Sequence, residues 1–352
     1  MGIRAFWIAL LALAVIASCS VRQPEISARF YVFGTLVDVL VRDTDQATAD
    51  AAFAEIQQQL QALHRDLHAW EPGPLTRLNQ AFSLGRTVTL GGDIPILIEM
   101  SRWMEEMTEG RFNAAAGALV ALWGFHTSEF PVSSPPPTEY DIRRILMMGP
   151  STFDIHADGQ TFSSGNPAVQ LDFGGIAKGF AVDRIIALLE SRGIDQCMVN
   201  AGGDLRAVGG SNRSPWRVGI RGPEGVQVGI ELAGRGAVFT SGSSERYLEQ
   251  EGQRFPHIID PRTGQPVSGL VSVTVVSDEG WFADAAATAL MVAGPDEWQQ
   301  VAADLGLESV LVIEQDGNVI ATQVMAPLLI AEQKVISAIR FVTLPAGRFS
   351  EG

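Results

Sequence analysis

Hydrophobic and polar positions repeat at two different periods along this chain, and the switches between them outline its elements. Arg29–Val41 is rich in β-branched and aromatic residues with mixed alternation, which predicts a strand. From Gln46 to Leu67 the apolar residues Phe53, Ile56, Leu60, Leu63 and Leu67 recur at helical spacing and predict a long amphipathic helix. Glu71–Pro74 reads as a loop, and Asp93 starts a second helix that runs to about Thr108. The polar, proline-rich Ser133–Thr138 is the clearest surface loop. Beyond Phe153 short strands and turns dominate, interrupted by a helix over Ile176–Arg192 that Gly193 closes. Strands are expected at Gln196–Asn200, Trp216–Arg221, Val228–Leu232, Ala237–Thr240 and Leu270–Ser277. Two alanine-rich helices follow, at about Ala283–Val292 and Pro295–Leu305, then strands near Ser309–Ile313 and Ile339–Leu344. There is no internal repeat and no clean linker. The pattern is α+β, with mixed and antiparallel sheets and packed helices in a single large domain.

The N-terminus bears on the compartment. Arg4 precedes the apolar run Ala5–Ala17, which ends at Ser18-Cys19-Ser20. A run of this length fits a signal h-region of roughly 7–15 residues and falls short of the ~20 that span a bilayer. Plain signal-peptidase cleavage beside an incidental cysteine is one reading. Small residues directly before Cys19 favour the other, a lipobox whose cysteine is lipidated. The expected organisation is a signal peptide over 1–18, a lipid-anchored tether over 19–28, the main domain over 29–345 and a C-terminal tail over 346–352. Such a protein is anchored to a bacterial membrane and faces the periplasm. Cys197 then has no disulfide partner and is expected to be a core thiol.

Charge narrows the partners. The chain has 352 residues and a net charge of −15, with 46% hydrophobic and 18% charged residues, enough to bury a large core. No Lys/Arg cluster offsets the acidity, so a nucleic-acid partner is not expected. A dianionic ligand would need backbone N–H groups or a metal to hold it.

Four segments carry candidate chemistry. In Leu171-Asp172-Phe173-Gly174-Gly175-Ile176-Ala177-Lys178 a Gly-Gly turn feeds a helix, which aims free N–H groups at an anion. On spacing alone this is an ordinary turn. Asp172 and Lys178 flank it, a carboxylate and an ammonium able to reach one ligand. Val199-Asn200-Ala201-Gly202-Gly203-Asp204 reads as a strand-ending turn in which Asn200 and Asp204 bond local backbone. His257, in an expected strand, is either structural or the best general acid/base present. His64 and His68 lie one helical turn apart without a third ligand and are expected as surface or packing residues. Asp284 and Thr288 stand at i and i+4 on an otherwise alanine face, which leaves room for a ligand. Their hard oxygens suit Mg²⁺, and they equally suit a dipole-favoured carboxylate and a back-bonded hydroxyl.

Taken together, Phe112–Phe125 (FNAAAGALVALWGF), LDFGGIAKGFAVD, VNAGGDLRAVG, TSG…ERY, HIIDPRTGQPV and ADAAATAL resemble, in order, the FAD:protein FMN transferase family, the ApbE-like flavin-trafficking lipoproteins. The resemblance spans residues 30 to 294. It implies a T-fold-like core and a Mg²⁺-dependent enzyme. That enzyme transfers FMN from FAD to a Thr or Ser hydroxyl of a membrane redox subunit and releases AMP. Carried over by position, Asp284, Thr288 and a carbonyl at Gly175 would bind Mg²⁺. Phe33, Trp70, Asn113, Ala114, Asp172, Lys178 and Ile258 would line the FAD site, and His257 would accept the proton of the attacking hydroxyl. The chain departs from the family where Asn113-Ala114-Ala115-Ala116-Gly117-Ala118 replaces Asp-Pro-Thr-Val-Gly-Pro, where Phe33 replaces Met, and at Ser243-Ser244. An FAD pyrophosphatase and a non-enzymatic FAD-binding protein are the rival readings.

Overall fold

The run from Arg29 to Val41, expected as one strand, folds back on itself. β1 (Ile26–Val32) and β2 (Thr35–Val41) pair antiparallel across a turn at Phe33-Gly34. Both turn residues have positive φ, 56° and 70°, as in the I′ turns that suit a tight hairpin. A bulky side chain at such an angle is strained, and Phe-Gly is a weak turn signal beside Asn-Gly, so the pattern hid the break. The computed structural model describes residues 25–211, 214–222, 225–244 and 246–348. The expected signal peptide and Cys19 lie outside the described residues, and β1 begins inside the expected tether.

The remaining strands are β3 (Val88–Thr89), β4 (Ile155–Asp158), β5 (Thr161–Ser164), β6 (Cys197–Ala201), β7 (Asp204–Val208), β8 (Trp216–Gly222), β9 (Gly225–Leu232) and β10 (Gly236–Gly242). They continue with β11 (Tyr247–Gln250), β12 (Gln253–Pro256), β13 (Leu270–Ser277), β14 (Ser309–Glu314), β15 (Val319–Thr322), β16 (Leu329–Ile330) and β17 (Arg340–Val342). A nine-stranded sheet runs β1-β2-β6-β7-β10-β13-β14-β15-β17, antiparallel except between β15 and β17.

Of the helices, α1 (Gln46–Leu67) matches its expectation, whereas α2 (Pro74–Ser83) starts in the expected loop, Pro74 being its first residue. Next come α3 (Ile94–Met107), then α4 (Gly117–Leu122) and α5 (Glu139–Met148), both too short to show a period, and α6 (Ala177–Ser191). The two alanine-rich helices are the halves of α7 (Gly280–Asp304), kinked where Gly294 takes φ 70° ahead of Pro295. α8 (Gln333–Ile336) is a single turn. No described helix is long and apolar enough to cross a membrane.

The sheet is buried on both faces, and strand alternation divides the core accordingly. Val310 and Val312 join Val37, Val199, Phe239 and Val275 under α1, α6 and α7, while Leu311 and Ile313 join Trp216, Ile230 and Met325 on the other side. A third cluster, with Leu119, Trp123, Phe125, Ile142 and Leu248, packs α4 and α5 beside β11. Cys197 is buried, and burial pushes its thiol up to about 12, as a core role requires. Of the expected tail, Arg348 is held by Asp304 through its backbone N–H at 2.7 Å and its guanidinium at 2.6 Å.

Candidate active site

The Gly-Gly turn delivers Lys178 to the first turn of α6, where its ammonium donates to the Asp204 carboxylate. The second Asp204 oxygen accepts the Thr240 N–H at 2.8 Å, which ties β7 to β10. Asp204 therefore bonds groups remote in sequence and not its own turn, contrary to expectation. Asn200 keeps the local role, accepting the Gly203 N–H at 2.7 Å. Asp284, buried on α7, accepts the Gly179 N–H of α6 at 3.0 Å. Burial pushes its carboxyl well up; Lys178 opposes the rise and Asp204 adds to it. Burial would lower the Lys178 pKa, but Asp204 and Asp284 outweigh it and keep the ammonium charged. Two buried carboxyl groups thus share one part-exposed ammonium, an arrangement that an added cation would balance.

Thr288, one turn beyond Asp284, places its hydroxyl 3.2 Å from that of Ser241. A Cβ on Gly175 would lie 3.2 Å from Thr288 Oγ1, so the Gly-Gly backbone passes directly beside it. The fold thus brings Gly175, Asp284 and Thr288 to one place. The intervening alanines do not leave open space, because Ala285, Ala286 and Ala287 are fully buried. Small side chains instead let α7 lie flush on α6; a Cβ on Gly179 would sit 2.2 Å from the Gly280 carbonyl oxygen. Among the described residues no three His, Cys, Asp or Glu converge as a metal cage. The Asp284 carboxylate and the Thr288 hydroxyl, one turn apart beside the Gly175 backbone, are hard oxygens of the kind that suit a hard divalent ion alongside water and phosphate oxygens.

Asp172 has other partners. It accepts the Gly174 N–H at 2.8 Å and shares a hydrogen bond of 3.0 Å with His126 Nε2. Burial disfavours its charge, but His126 and the Gly174 N–H more than compensate and hold its pKa below the ordinary range. Asp172 and Lys178, expected to reach one ligand, thus bond different groups, although both act electrostatically on His257. His126 stacks on Trp70 with ring centroids 5.3 Å apart and planes at 21°. Edge contacts continue the run from Trp70 to His68 (4.4 Å), His64 (5.2 Å) and Phe33 (5.5 Å). The histidines expected as surface or packing residues therefore join the two aromatic rings expected to line the FAD site. Burial lowers the His68 pKa, and its Nδ1 accepts the Glu71 N–H at 3.0 Å, so it is neutral.

His257 follows β12 at a bend and is not inside a strand, although its N–H still donates to the Arg246 carbonyl at 3.1 Å. Its Nδ1 donates to the Arg246 carbonyl at 3.2 Å, which leaves Nε2 as the bare, proton-accepting nitrogen. Burial, then the charges of Arg246 and Lys178, push its pKa down to about 4, against a smaller opposing effect of Asp172. Asn113 turns its amide to the Pro150 carbonyl (2.9 Å) and the Ala115 N–H (2.8 Å), so its side chain shapes the loop. Ala114 is buried, and its carbonyl accepts the Asp172 N–H at 2.8 Å. Ile258 packs into the main core. The sequence reading missed His126 and the role of Asp204. Neither stands at a diagnostic spacing, and each gains its partner only through tertiary contact.

A model of the ApbE family matches residues 33–311. Among curated relatives, an FAD:protein FMN transferase of Rhodobacter capsulatus is 41% identical over 328 residues, covering 92% of this chain. The chain spans 62% of that relative's length. An FAD:protein FMN transferase of Klebsiella pneumoniae is 33% identical over 291 residues, 80% of this chain and 82% of the relative. Among solved structures, the flavin transferase ApbE of Vibrio cholerae superposes with a TM-score of 0.75 at 29% identity, covering 87% of this chain and 99% of that one. The apo flavinyl transferase ApbE of Pseudomonas stutzeri gives a TM-score of 0.77 at 26% identity, over 88% and 98% of the two chains.

Proposed function

Because this chain belongs to the ApbE family, we propose that it is an FAD:protein FMN transferase that works with Mg²⁺. It moves FMN from FAD to a Thr or Ser hydroxyl of an acceptor protein, a membrane redox subunit, and releases AMP. The observation that carries this reading is the convergence of Asp284, Thr288 and the Gly175 backbone beside Lys178 and Asp204, a part-buried centre rich in hard oxygens with two carboxyl groups beside one ammonium. Asp284 and Thr288 would hold Mg²⁺ there, and the ion would supply positive charge against the diphosphate of FAD.

The remaining work belongs to the chain. Lys178 and the N-terminal turn of α6 attract the diphosphate, and the Phe33-to-Trp70 run offers faces for a flat heteroaromatic ring. His257 Nε2 accepts the proton of the acceptor hydroxyl as its oxygen bonds to the FMN phosphorus. The bond from that phosphorus to the oxygen bridging to AMP breaks, the bridging oxygen leaves on AMP, and a phosphoester remains on the acceptor. Bound diphosphate also raises the basicity of His257, because it offsets the Arg246 and Lys178 charges that depress it. The acidic surface fits a protein whose partners are a flavin and another protein and not a nucleic acid. Lipidation at Cys19 would hold the domain at a bacterial membrane on its periplasmic side.

The test is to mix pure protein with FAD, Mg²⁺ and a threonine-bearing acceptor. Transferase activity gives FMN on the acceptor plus AMP; free FMN plus AMP would mark a pyrophosphatase, and intact FAD a carrier. Asp284→Ala is expected to abolish transfer and weaken FAD binding in Mg²⁺. Unchanged transfer by that variant would remove the metal from the mechanism.

A further inference from the structure

The helix that carries Asp284 and Thr288 does not cap itself. Its N-cap residue, Glu279, makes no side-chain cap bond. The unpaired donors of the first turn go instead to Asp183 on α6, whose two oxygens accept the Gly280 and Trp281 N–H groups at 2.8 Å each. Asp183 is oriented in turn by Arg206, which donates to it at 2.6 Å from β7, the strand that begins at Asp204. The junction has no slack: a Cβ on Gly280 would fall 2.9 Å from Asp183 Oδ1. One carboxylate therefore binds α7 to α6 four residues ahead of Asp284, and α6 is the helix that supplies Lys178 and the Gly179 N–H.

We infer that Asp183, held by Arg206, is a positioning residue for the cation site. It sets where α7 lies along α6, and so brings Asp284 and Thr288 into register with Gly175 and Lys178. The inference rests on the transferase reading above, and it separates from a plain capping role. A cap supplied from within α7 would restore the helix terminus without tying it to α6. Glu279 has the extended backbone, φ −122° and ψ 136°, that a Ser N-cap needs.

The experiment measures Mg²⁺ affinity of the FAD-bound full chain by calorimetry, with melting temperature and transfer rate at saturating Mg²⁺ alongside. Asp183→Asn is expected to weaken Mg²⁺ binding about 10–100-fold, the usual effect of losing an outer-sphere support, with kcat at saturating Mg²⁺ within about threefold of wild type. Adding Glu279→Ser is expected to recover the melting temperature while Mg²⁺ binding stays weak. Wild-type Mg²⁺ affinity in Asp183→Asn, or its recovery by Glu279→Ser, would overturn the inference alone. Should Asp183→Asn fail to fold, Arg206→Gln leaves the cap in place but unanchored; weakened Mg²⁺ binding supports the inference and unchanged binding overturns it. A wild-type protein that binds no Mg²⁺ would overturn the transferase reading and this inference together.

Discussion

The imidazole of His257 sits among two cations, Arg246 and Lys178, and one carboxylate, Asp172, with its Nδ1 committed to the Arg246 carbonyl. His257→Ala is therefore expected to retain FAD binding while transfer falls by about 10²–10⁴-fold, the range for a lost general base; transfer at the wild-type rate would make the histidine a scaffold residue. The pKa near 4 also predicts that His257 itself adds no step to kcat/KM near the ordinary histidine value; in saturating Mg²⁺, which would keep the Asp284 carboxylate ionised, the profile is expected to stay level from about pH 5.5 to 8. For stability the sign follows from proton uptake. Between pH 4 and 6.5 the unfolded chain holds a proton on this ring and the folded one does not, so stability rises with pH across that window. Urea denaturation of His257→Gln at pH 5 and 7 should show a flatter dependence than wild type. Residue type and neighbourhood singled out His257 in the sequence, but its tautomer and its pKa depend on Arg246 and Lys178, which only folding brings near.

Among the elements, α6 and α7 decide the site. Asp284 and Thr288 stack one turn apart because a helix repeats every ~3.6 residues, and that relation was legible from the sequence. The closeness of the two helices was not. It depends on Gly179 meeting the Gly280 carbonyl where no Cβ fits, and on alanines that are buried and do not line a vacancy. Gly179→Ala is expected to cost about 1–3 kcal/mol or more, because the new methyl meets backbone that cannot rotate away. Differential scanning calorimetry should show a lower melting temperature, and FAD binding in Mg²⁺ should weaken with it; unchanged melting would mean the helices are not packed this closely. The Phe33-Gly34 hairpin teaches the same lesson in reverse. Continuous β-branched alternation concealed a turn whose left-handed residues show themselves only in the backbone.

On the scale of the whole molecule, one sheet buried on both faces supports the site on its α1, α6 and α7 side, and Trp216, Ile230 and Met325 close the other. The expected lipid anchor gives a prediction at this scale. Cys19→Ala should move the protein from the membrane fraction to the soluble periplasmic fraction, with transfer by the purified domain unchanged. Retention in membranes would refute anchoring through that cysteine. The sequence by itself determined the α+β class, the long helices α1, α3, α6 and both halves of α7, the strands β6, β8, β9, β10, β13 and β14, the buried Cys197 and the i, i+4 pair on α7, because these depend on periodicity and side-chain chemistry within a few residues. Tertiary structure alone decided that Lys178 pairs with Asp204, that His126 joins Asp172 to Trp70, and that Asp183 grips α7. Such partners are set by how strands and helices stack, and a buried charge takes whichever complementary group the packing brings within reach.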